Sequence, residues 1–183
     1  MSEAAAREMD PVVASARDGD ADAFERLVRA HADAVYAHAL RFFSDRGLAE
    51  DATQEVFLKV YRSLAGFDGR SSFSTWLFRL TRNVCIDMMR RSRRVPTPVD
   101  PATVAPPSVP DFADGVVTAH SVERAVATLP PEDRDALSAV SLFGLTYEEA
   151  GIVLGIPVGT VKSRVFRARR TLLALLGLSR REG

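Results

Sequence analysis

Residues 145–170 read LTYEEAGIVLGIPVGTVKSRVFRARR. The stretch divides at Gly155-Ile156-Pro157, where a glycine and a proline flank one apolar residue and the chain can turn. Upstream, Thr146 with Glu149 three residues on forms a capping box, predicting a helix from about Tyr147 to Leu154. Downstream, a helix is expected from about Gly159, because Val161, Val165, Ala168 and Leu172 recur at i, i+4, i+7 and i+11. That inward stripe forces Lys162, Ser163, Phe166, Arg167 and Arg170 onto the outer face together. Two helices joined by a glycine-containing turn, the second polar and basic outside, form a helix-turn-helix whose second helix enters the major groove. There Arg and Lys reach guanine edges or phosphates, Ser bonds either, and Phe touches a thymine methyl or a sugar. The competing reading, a solvated basic helix with Phe166 packed on a neighbour, leaves the turn signature to coincidence.

Working outward, a preceding helix ends near Phe143-Gly144, which completes a small helical domain over 121–178. Before it, VPTPVDPATVAPPSVPDFADGVVTAH (95–120) holds six of the ten prolines, three aspartates and no Lys or Arg, so no helix or central strand can run through it. It reads as a flexible linker. Residues 10–94 again show helical apolar spacing, and no alternating run competes as a sheet. The expected fold is all-α, two small helical domains joined by a Pro-rich linker.

In the first domain, Phe24, Leu27, Val28, His31 and Val35 form one stripe, with Asp20 or Asp22 as N-cap. The next helix places Val56, Phe57, Val60, Tyr61 and Leu64 on one side, leaving Asp51, Gln54, Glu55 and Lys59 on the other. That acidic face is either solvated or a docking face. Gly66 and Gly69 then bracket Phe67 in a loop, and Ser72 or Ser74 caps a helix on which Trp76, Leu80 and Val84 repeat every four residues. Rings beside a short polar loop and a basic helix suit the capture of unstacked bases. Spacing alone favours a core role for Phe73 and Trp76, while the flanking glycines make Phe67 the better candidate for an exposed ring.

A net charge of zero conceals a gradient. Residues 1–60 hold seven Lys/Arg against twelve Asp/Glu, whereas 79–94 carry six arginines against one aspartate and 160–182 seven cations against one glutamate. Two separate basic clusters suggest two contacts with a polyanion. No apolar run approaches the ~20 residues a bilayer requires, and the N-terminus has no leader pattern, so a cytoplasmic protein without membrane insertion is expected. The lone Cys85 should pack as a small hydrophobe. His31, His38 and His120 have no ligand spacing with it, and neither a phosphate-binding loop nor a nucleophile elbow is present. No metal, cofactor or catalytic residue is expected.

These blocks resemble the bacterial RNA polymerase sigma factors of the extracytoplasmic-function class, within the sigma-70 family. LAEDATQEVFLKVYRSLAGFDGRSSFSTWLFRLTRNVCIDMMRR (48–91) resembles its region two, and LPPEDRDALSAVSLFGLTYEEAGIVLGIPVGTVKSRVFRARRTL (129–172) its region four. The resemblance implies that Asp51, Gln54, Glu55 and Phe57 dock on core polymerase. It implies minus-ten recognition by Phe67, Asp68, Gly69, Arg70, Ser71 and Ser72, joined by Trp76, Arg79 and Asn83. It assigns the minus-thirty-five element to Thr160, Lys162, Ser163, Phe166, Arg167 and Arg170. Promoter DNA, core polymerase and an anti-sigma factor are the implied partners, and the linker is similar to those that thread the RNA exit path. In the middle helix of region four, Ala150-Gly151 replaces the family's bulky-then-Ala pair; Gly suits a close helix crossing and lowers helix propensity by up to ~1 kcal/mol. The rival classes are a helix-turn-helix regulator that binds DNA without polymerase, and an α-helical enzyme, for which the sequence offers little.

Overall fold

The computed structural model describes residues 9–43, 45–94 and 119–178. The regular elements among them are all helical: α1 (Pro11–Arg17), α2 (Ala21–Phe43), α3 (Arg46–Ser63), a 3-10 turn (Leu64–Gly66), α4 (Phe73–Arg94), α5 (Ala119–Ala127), α6 (Pro131–Ser141), α7 (Tyr147–Leu154) and α8 (Val158–Leu175). Most of the linker lies outside the described residues, and with it the expectation about the RNA exit path. Among the described residues, no helix is long and apolar enough to cross a membrane.

Short polar side chains start these helices. Asp10 accepts from the Val12 N–H ahead of Pro11, Asp20 from the N–H groups of Asp22 and Ala23, and Asp45 from Leu48 N–H at 2.8 Å. Each cap satisfies a donor that the first turn leaves unpaired, worth about 1 kcal/mol. Ser72, not Ser74, caps α4, accepting from Thr75 N–H. Helix α1 is too short to show a period; Val13 and Ala16 bury it against the bundle.

The first domain buries Leu27 and Val35 of α2, Val56 and Val60 of α3, and Leu77, Phe78 and Val84 of α4. Of the expected α4 stripe Val84 is buried, but Leu77, Phe78 and Thr81 take the inner positions above it, so Trp76 and Leu80 are only half-buried. Tyr61, expected on the inner side of α3, is 69% exposed and makes a T-shaped contact with Phe24. Val60 and Leu64 already fill the interior there. The second domain closes over Leu137, Leu145, Ala150, Val161, Val165 and Ala168.

The two domains share one core. Phe143, in the turn after α6, lies between His38 of α2 and Phe78 of α4, with ring centroids 5.9 and 5.1 Å away. Around this contact Arg82 Nε donates to Asp135 at 2.9 Å, Arg41 donates to the Ser138 hydroxyl at 2.8 Å, and Arg134 donates to the Arg41 carbonyl. His38 is fully buried, and neither ring nitrogen has a hydrogen-bond partner among the described residues. Burial above all, and then Arg41, Arg82 and Arg134, lowers its pKa to about 3, so the imidazole is neutral.

Candidate nucleic-acid interface

Helix α7 begins with the expected capping box: Thr146 accepts from Glu149 N–H, and Glu149 accepts from Thr146 N–H. It ends at Gly155, whose φ of 67° and ψ of 35° belong to the left-handed region that glycine tolerates. The turn folds back so closely that a Cβ on Gly151 would stand 3.0 Å from the Ile156 carbonyl oxygen. This close approach aims α8 outward. Val161, Val165 and Ala168 anchor its inner face, while Lys162, Ser163, Phe166, Arg167 and Arg170 are exposed. Phe166 is 66% exposed, so most of its ring faces solvent. Thr160 is half-buried, and its carbonyl accepts from the Ser163 hydroxyl.

Lys162 lies over the Tyr147 ring, 5.7 Å from its centroid, and Arg167 is held by a buried carboxylate. Its Nε and Nη2 both donate to Asp133, at 3.2 and 2.8 Å, and Asp133 is itself buried in the first turn of α6. The hydrogen bond to Asp133, and then its charge, raise the Arg167 pKa further. Sequence spacing shows Arg167 pointing outward and gives no sign of a partner 34 residues upstream.

The residues expected at the minus-ten element divide between two clefts. Phe67, Asp68, Arg70, Ser71, Trp76 and Arg79 line a cleft of ≈ 590 Å³, together with Glu149 and Ile152 of α7. Gly69 and Ser72 line a smaller one against Met9, Asp10 and Val13, and Asn83 is exposed one turn beyond Arg79. Phe67 departs from its expected exposure. Only 6% of it is accessible, because its ring packs against Phe73 and Trp76 at centroid distances of 6.2 and 5.3 Å. Flanking glycines loosen a backbone but do not exclude an apolar ring from a nearby aromatic cluster. Phe73 is buried, as its spacing predicts, and Trp76 forms half-exposed wall.

On α3, Asp51 and Gln54 are exposed and Glu55 is half-buried beside Lys59 at 3.9 Å. Phe57 turns partly into the core. The same outer face continues through Leu58 and Tyr61, 50% and 69% exposed, which sequence reasoning did not include. Their positions, seven and ten residues after Asp51, carried the signal. Of the first basic cluster, Arg79 and Arg90 face outward, but Arg82 is drawn to Asp135 of the second domain. Cys85 is buried as expected, and burial, followed by Asp135, pushes its thiol to about 12.

The model of sigma-70 region 2 matches residues 27–95, and that of sigma-70 region 4 matches 119–172. An ECF RNA polymerase sigma factor, SigC of Mycobacterium tuberculosis, is 37% identical over 163 residues, covering 87% of this chain and 86% of the relative. The chain belongs to the extracytoplasmic-function class of the sigma-70 family. The sigma factor is also 37% identical over 154 residues to SigE of Mycolicibacterium smegmatis, covering 81% of itself and 60% of that relative's length. Members of this family are transcription initiation factors rather than enzymes. Among solved structures it is similar to CnrH in complex with the cytosolic domain of CnrY, with a TM-score of 0.63, 28% identity, and 92% and 97% of the two chains covered. It is likewise similar to the sigma factor RpoE in complex with the anti-sigma factor NepR from Bartonella quintana, with a TM-score of 0.66, 27% identity, and 86% and 98% covered.

Proposed function

We propose that this sigma factor binds core RNA polymerase through the α3 face of Asp51, Gln54, Glu55 and Leu58, with Phe57 buttressing it from inside. The domain over 10–94 reads and helps melt the minus-ten element at the cleft between Phe67 and Arg79. The domain over 121–178 reads the minus-thirty-five element with α8, and 95–120 joins the two. The observation that carries the reading is the outer face of α8, where Lys162, Ser163 and Phe166 stand exposed beyond the Gly155 turn. Polymerase performs the chemistry, in the cytoplasm. An anti-sigma factor controls the chain, a reading supported by similarity to two sigma factors solved with CnrY and NepR.

Glu149 and Ile152 of α7 form one wall of the minus-ten cleft, and the Ser72 hydroxyl donates to Glu149 at 3.1 Å. Reading both promoter elements therefore requires the domains to part. Run-off transcription from a genomic promoter library, by core polymerase with and without the protein, tests the proposal. Specific starts that appear only on its addition are expected. Retention of duplex DNA by the protein alone, with no new starts, would instead establish a helix-turn-helix regulator.

A further inference from the structure

We propose that Asp133 is a positioning residue for promoter reading: it clamps the side edge of the Arg167 guanidinium so that the opposite edge is presented, preset, to a guanine of the upstream element. The inference rests on the assignment of α8 to duplex DNA. Asp133 takes the Nε hydrogen and one Nη2 hydrogen. The remaining edge, formed by Nη1 and the second Nη2 hydrogen, is a complete fork matching the O6 and N7 acceptors of guanine in the major groove. The carboxylate is 5% exposed and the arginine side chain 58% exposed, so the clamp is anchored inside the domain while the free edge reaches solvent.

The arrangement has two physical consequences. An unclamped arginine must give up rotamer freedom to hold one base edge, whereas the clamped one has surrendered much of it on folding. The Asp133 charge also offsets that of Arg167, which leaves Lys162 and Arg170 to supply the sequence-independent attraction to phosphates on this face. Asp133 thus favours discrimination at the expense of general affinity. A residue that merely stabilised the fold would raise both together.

The test uses holoenzyme assembled from core polymerase and the full chain. Wild-type holoenzyme first selects a duplex from a library randomised across the upstream element. Affinity is then measured for that duplex and for each single base-pair change, at several salt concentrations. For Asp133→Asn, discrimination at one G·C pair should fall about tenfold, the other positions should keep theirs, and the salt dependence should steepen by about one unit of log–log slope. Arg167→Lys, which keeps the charge but loses the fork, should lose discrimination at the same pair. In an Arg167→Ala background, Asp133→Asn should change discrimination no further. Uniform weakening at every position, or an unaltered pattern in either single variant, would overturn the clamp while leaving the sigma assignment standing. Failure of the wild-type holoenzyme to select any duplex would overturn the promoter reading itself, and the clamp with it.

Discussion

The Ser72 hydroxyl, which caps α4 at the end of the loop 67–72, donates to the Glu149 carboxylate, which closes the capping box of α7, across 77 residues of sequence. Two residues that each start a helix in their own domain thus also join the domains. The contact lies beside the cleft lined by Phe67, Trp76 and Arg79, so under the proposed function domain closure covers the surface assigned to the minus-ten element.

Loosening the closed form should expose that surface. Arg82→Ala removes the partner of the largely buried Asp135 carboxylate, which should weaken domain packing by about 1–2 kcal/mol. Small-angle scattering of the free protein should show a larger radius of gyration, with each domain's helicity retained. Binding of a single-stranded oligonucleotide carrying the minus-ten sequence should strengthen severalfold. An unchanged radius together with unchanged binding would mean that this ion pair does not hold the domains closed.

Acid should loosen the same junction through His38. Its folded pKa of about 3 lies below the ordinary 6.5, so the ring gains a proton when it is exposed. Its contribution to stability is therefore complete above about pH 6.5 and declines as the pH falls toward 3. Between pH 7 and pH 5 the loss is about 2 kcal/mol. Asp135, whose pKa is raised mainly by burial, works in the opposite direction as the pH falls. His38→Leu removes two unpartnered nitrogens and should flatten this dependence at little or no cost at pH 7, as read by thermal melting at both pH values.

Gly151→Ala should destabilise the second domain despite the alanine's better helix propensity. The gain is up to about 1 kcal/mol, but the new Cβ meets a backbone oxygen at 3.0 Å, and backbone cannot swing aside as a flexible side chain can. A net loss of about 1–2 kcal/mol is expected in chemical denaturation. A more stable variant would show that the α7–α8 turn has room to give.

Leu58→Asp and Tyr61→Ala should weaken core polymerase binding by about tenfold while leaving the melting temperature within a degree or two, because both side chains are at least half exposed. Affinity for core polymerase measured in solution checks this. Equal affinities would move the docking surface off this face of α3.

The sequence alone determined what local chemistry controls. The Thr146–Glu149 capping box, the bounds of α7, the Gly155 turn and the outward set on α8 were all legible, because each depends on residues within a turn or two of one another. Tertiary structure alone decided what covers each face. Phe67 reads as an exposed ring until Phe73 and Trp76 close over it, and Tyr61 as a core residue until Val60 and Leu64 fill the interior. Arg82 and Arg167 read as free cations until Asp135 and Asp133 arrive from 53 and 34 residues away. Helical periodicity fixes the direction in which a side chain points. Whether it meets water, an aromatic ring or a buried carboxylate depends on how helices remote in sequence pack, and no local spacing encodes that.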